Sequence, residues 1–345
     1  MAHFYIFTNS PGEVFSWVSP ICDALGKAYP NANIHVFLTP CQYATGEEAR
    51  VCQSFTKVSK VHAPMETLRH AWLGTTHEPG VVFFLGGDPI HAKRFSKKTN
   101  SRLLGYSENS ISPSGFDALT IRSLGADLMA EGIVLTPNHL RKGVVLLPGS
   151  RPEHLDVALP LMIQLSQTIS DITIMLSPFT SPKKARDIQK EYPTHSVVVM
   201  RSINDLSRFK IALTIPGTNT MQLAYFSIPF MMILPTHQSK ILRLNGLMGL
   251  LLMVPILGPG LKYLACRVLG QKKRLYALPN QLLNKAVCPE VVGRFSIDLT
   301  RKKFEEFVNN SQLHHEISDK FKALAPTKSV MGDWLNWLKT NVNLS

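Results

Sequence analysis

The 345-residue chain has only five cysteines, Cys22, Cys41, Cys52, Cys266 and Cys288, an odd set without a CxxC pair and without histidines at metal-ligand spacing beside them. That pattern excludes a disulfide framework and a cysteine-based zinc site, and reduced, cytosolic thiols are expected. An internal repeat and a low-complexity tract are also missing, and with 45% hydrophobic residues the chain is neither fibrous nor disordered. It is long enough for two domains with cores of their own. No apolar run reaches the about 20 residues of a spanning helix before a proline or glycine interrupts it. The first run, His3-Phe4-Tyr5-Ile6-Phe7, is followed by Pro11-Gly12 too early to form the core of a signal peptide, and reads as a first strand.

Acidic residues are absent from Leu206 to Pro289, a stretch that holds Arg208, Lys210, Lys240, Arg243, Lys262, Arg267, Lys272, Lys273, Arg274 and Lys285. The formal net charge of +13 is thus partly gathered into one basic field, which calls for an anionic partner. Inside it, residues 244–261 carry no charge and are rich in Leu, Met and Val, with cations on both flanks and breaks at Pro255, Gly258, Pro259 and Gly260. Such a segment is expected to lie in a membrane interface, with Leu247, Leu250, Leu251 and Met253 against lipid and Arg243, Lys262 and Arg267 against an anionic surface. Each buried leucine contributes roughly 1.5–3 kcal/mol and each nearby cation about 1 kcal/mol. A buried core helix with solvated flanks is the alternative. Nucleic acid is not expected, because stacking platforms need aromatic side chains among the cations and only Tyr263 and Tyr276 are near.

Continuous apolar runs recur at helix-sized intervals: Phe4 to Phe7, Ile34 to Leu38, Val81 to Leu85, Val144 to Leu147, Ile172 to Leu176, Val197 to Met200, Ile211 to Ile215 and Phe230 to Leu234. Runs of this kind belong to parallel sheets covered on both faces. Helical patterns lie between them at Val14 to Ala28, His154 to Ser170, Lys183 to Glu191 and Asn219 to Phe226. The alternation predicts an α/β doubly wound architecture in two parallel-sheet domains, 1–140 and 141–330, with the ligand cleft between them. The boundary falls in the polar stretch Thr136 to Gly143, and a last helix in 331–345, carrying Trp334 and Trp337, is expected to pack back on the first domain.

The run Leu146-Leu147-Pro148-Gly149-Ser150-Arg151 ends one strand at a small-residue turn and opens a helix. Such turns aim backbone N–H groups at an anion, and Arg151 adds a planar fork suited to phosphate oxygens, although the same residues also serve as ordinary turn chemistry. A second turn of like design, Pro216-Gly217-Thr218-Asn219-Thr220, follows the strand Ile211 to Ile215. Together Gly149, Ser150, Arg151, Gly217, Thr218 and Asn219 are expected to hold a diphosphate without a metal, with the Gln222 amide on a ribose hydroxyl or packed within the helix. In the first half, Asp88 follows the strand and glycine pair Phe83-Phe84-Leu85-Gly86-Gly87 and is a candidate general base or the cap of a helix beginning at Pro89. His91 is the reserve base. The turn Asn9-Ser10-Pro11-Gly12-Glu13 is expected on the acceptor side, with Glu13 either taking part in the chemistry or favouring the helix dipole.

The second half resembles the nucleotide-binding domain of the lipid-A-disaccharide synthase family, two-domain GT-B glycosyltransferases. The likeness rests on Leu146 to Arg151, on Gly217-Thr218 opening a helix, and on Leu278-Pro279-Asn280 with Pro289-Glu290-Val291-Val292. The resemblance implies two Rossmann-like domains facing a cleft, and a UDP-sugar site that includes Asn280 and Glu290. It also implies transfer of a glucosamine-type sugar to a glycolipid, without cofactor or metal, by a protein peripheral on the inner face of the cytoplasmic membrane. The first half departs from the family: its opening motif is reduced to Gly12-Glu13 followed by Val14, Phe15 and Ser16. Asp88 falls where the family has its catalytic aspartate, and Gln222 stands where it has a glutamate. A sugar-nucleotide epimerase or hydrolase on the same fold, or a non-catalytic lipid-binding relative, are the rival readings.

Overall fold

The structure, a computed structural model, describes residues 1–74, 76–108, 110–121, 127–235, 275–294 and 296–342. The apolar segment 244–261 and its flanking cations, Arg243, Lys262 and Arg267 included, lie outside the described residues. The chain divides into two compact units, unit 1 comprising Met1–Gly132 and Ala325–Ser345, and unit 2 comprising Ile133–Leu324.

Unit 1 is built on six strands, β1 His3–Thr8, β2 Asn33–Leu38, β3 Val58–His62, β4 Val81–Phe84, β5 Arg102–Ser107 and β6 Ala118–Ile121, in the order β3-β2-β1-β4-β5-β6. All neighbours run parallel. Alternate residues of β1 face opposite layers. Tyr5 and Phe7 join Phe37, Phe84 and Phe95 in one aromatic core. Phe4 meets Phe83 at 6.0 Å, and Phe83 meets Trp334 of the last helix, Val330–Asn341, at 5.2 Å. That helix is fixed to unit 1 through Glu131 as well, whose carboxylate accepts from Ser329 Oγ at 3.0 Å and Met331 N at 3.3 Å.

Unit 2 has β7 Lys142–Leu147, β8 Ile172–Leu176, β9 Ser196–Val199, β10 Phe209–Thr214, β11 Phe230–Pro235 and β12 Glu290–Gly293, in the order β12-β11-β10-β7-β8-β9. Its neighbours are again all parallel. Both sheets therefore carry one winding, starting at a central strand, moving to one edge and then returning past the start to the other. The expected strands are all present, and β3, β5, β6 and β12 are additional. These four have polar or short sequences, such as Val58-Ser59-Lys60-Val61-His62 at the sheet edge, which no apolar run marks.

Phe95 is fully buried and meets Tyr5, Phe7 and Phe37 at 4.9 to 5.3 Å. Phe95→Ala should cost about 3–5 kcal/mol of unfolding free energy. Denaturant titration checks this, and a loss below about 1 kcal/mol would mean that the aromatic cluster is not the core of unit 1.

Candidate functional site

In a doubly wound sheet the strand order reverses at one point, and there the carboxyl ends of two neighbouring strands open a crevice that no crossover covers. In unit 2 that point lies between β7 and β10, where Leu147 pairs with Thr214. The turns Pro148-Gly149-Ser150-Arg151 and Ile215-Pro216-Gly217 thus leave the sheet side by side. Gly149 has φ +100°, and a Cβ there would stand 2.7 Å from Ile215 Cδ1 of the neighbouring turn. Gly217 has φ +145° and open space where a Cβ would be.

Each turn opens a helix, Pro152–Leu165 and Thr218–Tyr225, and neither N-cap, Arg151 or Gly217, places a side chain on the first-turn N–H groups. The helices at Pro182, Ile297 and Val330 are capped by Ser181, Ser296 and Ser329, whereas those at Ser19, Glu48, Pro64 and Leu278 also lack a side-chain cap, so what sets the pair apart is its place at the reversal. Uncapped N–H groups at two adjacent helix starts can accept an anion. Ser150, Arg151, Thr218 and Asn219 are half-buried around them, while Gln222 is buried at 3% exposure.

Asn280 and Glu290 belong to one hydrogen-bonded cluster. Asn280 is fully buried; its Nδ2 donates to Cys288 O at 2.9 Å and Glu290 Oε1 at 2.7 Å, and its Oδ1 accepts from Val287 N and Cys288 N. The Glu290 carboxylate also accepts from Tyr276 N at 3.0 Å and Ala277 N at 2.9 Å. Asn280 thus fastens residues 287–288 and the Glu290 carboxylate, and Glu290 fastens residues 276–277, because a buried amide and carboxylate must find partners. That segment in turn reaches the second turn: Leu278 N donates to Thr220 Oγ1 at 3.1 Å, and Thr220 Oγ1 donates to Gly217 O at 2.8 Å. Thr220 escaped the sequence reading. Its only mark there is a hydroxyl three residues after a glycine.

In unit 1 the reversal lies between β1 and β4. After β1, Ser10 and Glu13 form a capping box in which Ser10 N donates to Glu13 Oε2 at 3.2 Å. Pro11 and Gly12 form the first turn of the helix, which runs into a π-helical stretch Val14–Val18 and then Ser19–Ala28. After β4, a Cβ at Gly86 would run into the Glu13 carboxylate, and one at Gly87 (φ +83°) would run into Thr39 Oγ1 beside Asn9 Nδ2. Glycine at both positions therefore lets Asn9, Glu13 and Thr39 converge at the strand ends. Asn9 Oδ1 and Thr8 Oγ1 are buried there without a hydrogen-bond partner among the described residues. Burial pushes the Glu13 carboxyl up from its ordinary 4.5 to about 7, against the hydrogen bonds from the Ser10 and Asn9 backbone, with Glu108 adding to the rise.

Asp88 is exposed and accepts from Ile90 N at 2.9 Å, so it caps the Pro89–Lys98 helix. His91 Nδ1 accepts from Trp72 Nε1 at 3.0 Å on a surface groove of about 840 Å³. Of the three expected acid–base residues, Glu13 is the one set among converging polar groups at the reversal point. Asn9, of the turn expected on the acceptor side, and Thr39, which no motif marks, join it.

No family model and no curated protein matches the chain. Among solved structures, S. aureus MnaA in a co-structure with UDP is 10% identical with a TM-score of 0.51, covering 100% of this chain and 98% of MnaA. UDP-GlcNAc 2-epimerase from Neisseria meningitidis bound to UDP-GlcNAc gives 9% and 0.49, and Acinetobacter baumannii MurG gives 12% and 0.49, each over 99% of this chain and 100% of theirs. The likeness is one of fold, and the α/β class of two Rossmann-like parallel sheets expected from the sequence is borne out.

Two outcomes follow for stability. Gly149→Ala should destabilise unit 2 by about 1–3 kcal/mol, since it puts a Cβ at positive φ against Ile215; an unchanged melting temperature would contradict the turn geometry. The Glu13 carboxyl holds its proton more tightly folded than unfolded, so its contribution is full below pH 4.5 and is lost as pH rises through about 7. Relative to Glu13→Gln, the wild type should therefore lose stability between those values, as chemical denaturation at a series of pH values would show.

Proposed function

We propose that the chain is a GT-B glycosyltransferase that moves a glucosamine-type sugar, N-acetylated or acylated, from a UDP-sugar to a glycolipid acceptor. The observation that carries the reading is the pair of uncapped helix N-termini at the β7/β10 reversal, flanked by Arg151. Those N–H groups and the Arg151 guanidinium suit the diphosphate of the donor, whose charge grows as it leaves, and no metal is needed to hold it there. In the reaction the acceptor hydroxyl oxygen bonds to the anomeric carbon. The bond from that carbon to the diphosphate oxygen breaks, its electron pair leaves with UDP, and the hydroxyl proton passes to a base. Glu13 is the base this reading assigns, since a carboxyl titrating near 7 is matched to proton transfer at neutral pH. The orphaned Asn9 and Thr8 oxygens beside it suit the hydroxyls of a sugar acceptor.

A lipid-bearing acceptor is supported by two features. One is the apolar segment 244–261 with its cations, known from sequence alone. The other is the groove of unit 1, where Met65, Trp72 and Leu73 are 76%, 42% and 82% exposed beside Arg69 and with the Arg94 guanidinium 3.5 Å over the Trp72 ring. Apolar side chains rimmed by cations suit the anionic inner face of the cytoplasmic membrane. No described helix is long and apolar enough to cross a membrane.

Calorimetric titration with UDP tests the donor site: Arg151→Ala should bind about 10- to 100-fold more weakly, as expected for loss of a charge-assisted contact. Binding that is absent in the wild type, or equal in both, would overturn the reading. Turnover with a native lipid extract should rise with pH through about 7 and lose that profile in Glu13→Gln. Consumption of the UDP-sugar without any lipid acceptor would favour an epimerase or hydrolase instead.

A further inference from the structure

A second polar assembly in unit 1 shares no residue with these turns. It extends the aromatic core toward the β3 edge of the sheet, where His62 stacks on Phe37 at 4.1 Å. Around His62 gather His35 of β2 at 5.4 Å, His70 of the Pro64–Trp72 helix at 5.1 Å, and His77 of the loop before β4 at 5.4 Å. The loop is pinned beside them by Tyr5, whose hydroxyl donates to Glu78 O at 2.7 Å and whose ring meets His77 at 5.4 Å. These rings come from four separate elements, so no spacing in the sequence marks them.

The surroundings of His62 are informative. Its Nδ1 lies 2.9 Å from Glu66 Oε1, which itself takes a bond from Lys60 Nζ at 2.9 Å, but without hydrogen-bond geometry, so that Nδ1 is buried with no hydrogen-bond partner among the described residues. A carboxylate on the Nδ1 side favours the ring proton there electrostatically and leaves the Nε2 lone pair on the other side of the ring, the side from which carboxylate-oriented histidines bind metals. That Nε2 faces His35 Nδ1 at 3.2 Å.

We propose that His35, His62 and His77 form a site for a divalent transition-metal ion of the zinc class, with Glu66 as the residue that orients His62. One ligand nitrogen from each of the three lies within 4.8 Å of the others. Tetrahedral zinc with bonds of 2.0–2.1 Å sets its ligand nitrogens about 3.3 Å apart, close to the separation of His35 and His62. A small movement of the His77 loop closes the set. Three imidazoles suit zinc, nickel, copper or cobalt and not magnesium or calcium, and three protein ligands leave a fourth position for water. The ion would tie β2, edge strand β3 and the loop before β4 together. His62, Glu66 and His70 form a competing set. It is the weaker one, because Glu66 Oε1 is already paired with Lys60 Nζ at 2.9 Å.

The test is calorimetric titration of the chelator-treated full chain with Zn²⁺, with visible spectroscopy of the Co²⁺ form and circular dichroism to check that each variant is folded. One ion per chain with tetrahedral cobalt bands is expected. His35→Ala and His77→Ala should each abolish binding, Glu66→Gln should weaken it about 10- to 100-fold, and His70→Ala should leave it unchanged. Absence of stoichiometric binding in the wild type would overturn the proposal. So would binding that survives His35→Ala and His77→Ala but is lost in His70→Ala.

Discussion

The proposed transfer site depends on where the two parallel sheets reverse their winding. A parallel sheet covers its faces with crossover helices, and only at the reversal do two adjacent strands end without a crossover above them. The pairs β1/β4 and β7/β10 occupy that position. At both, the chain has glycine where another residue would collide: Gly86 and Gly87 against Glu13 and Thr39, and Gly149 against Ile215. The backbone is thereby brought close enough for N–H groups and short polar side chains to converge.

The two reversal points are chemically unlike. In unit 2 the helix starts are left without side-chain caps and carry Arg151, which makes the turn pair receptive to negative charge. In unit 1 the helix start is capped by its own acidic residue, and burial keeps that carboxyl near neutrality. The proposed transfer gives unit 2 a leaving anion to stabilise and unit 1 a proton to exchange. The histidine cluster is independent of both, resting on an aromatic core that admits polar rings at its edge.

Much of the fold was legible because its central strands are continuous apolar runs separated by helix-sized gaps, which only a two-sided parallel sheet explains. The edge strands β3 and β12 were not, since they carry Lys60, His62 and Glu290 where one side meets solvent or a loop, whereas the edge strand β9, with its valine run, was. The turn residues Gly149, Arg151 and Gly217 were legible for the same reason that turns are: a glycine after an apolar strand has few other uses. Asn280 and Glu290 were read as ligand contacts, and in the structure their bonds run to Val287, Cys288 and each other, and to residues 276–277. Short polar side chains look alike in sequence whether they bind a ligand or a backbone. Glu13 could be separated from Asp88 only by burial, and the convergence of His35, His62 and His77 only by strand pairing and a pinned loop.

The central claim is that a sugar leaves a UDP donor and joins a lipid. Mass spectrometry of the products formed from a UDP-N-acetyl- or acylglucosamine and a native lipid extract tests it most directly. UDP together with a glycolipid heavier by the donor's sugar residue is the expected outcome. Release of the free sugar, conversion to an isomeric UDP-sugar, or an unchanged donor would contradict it.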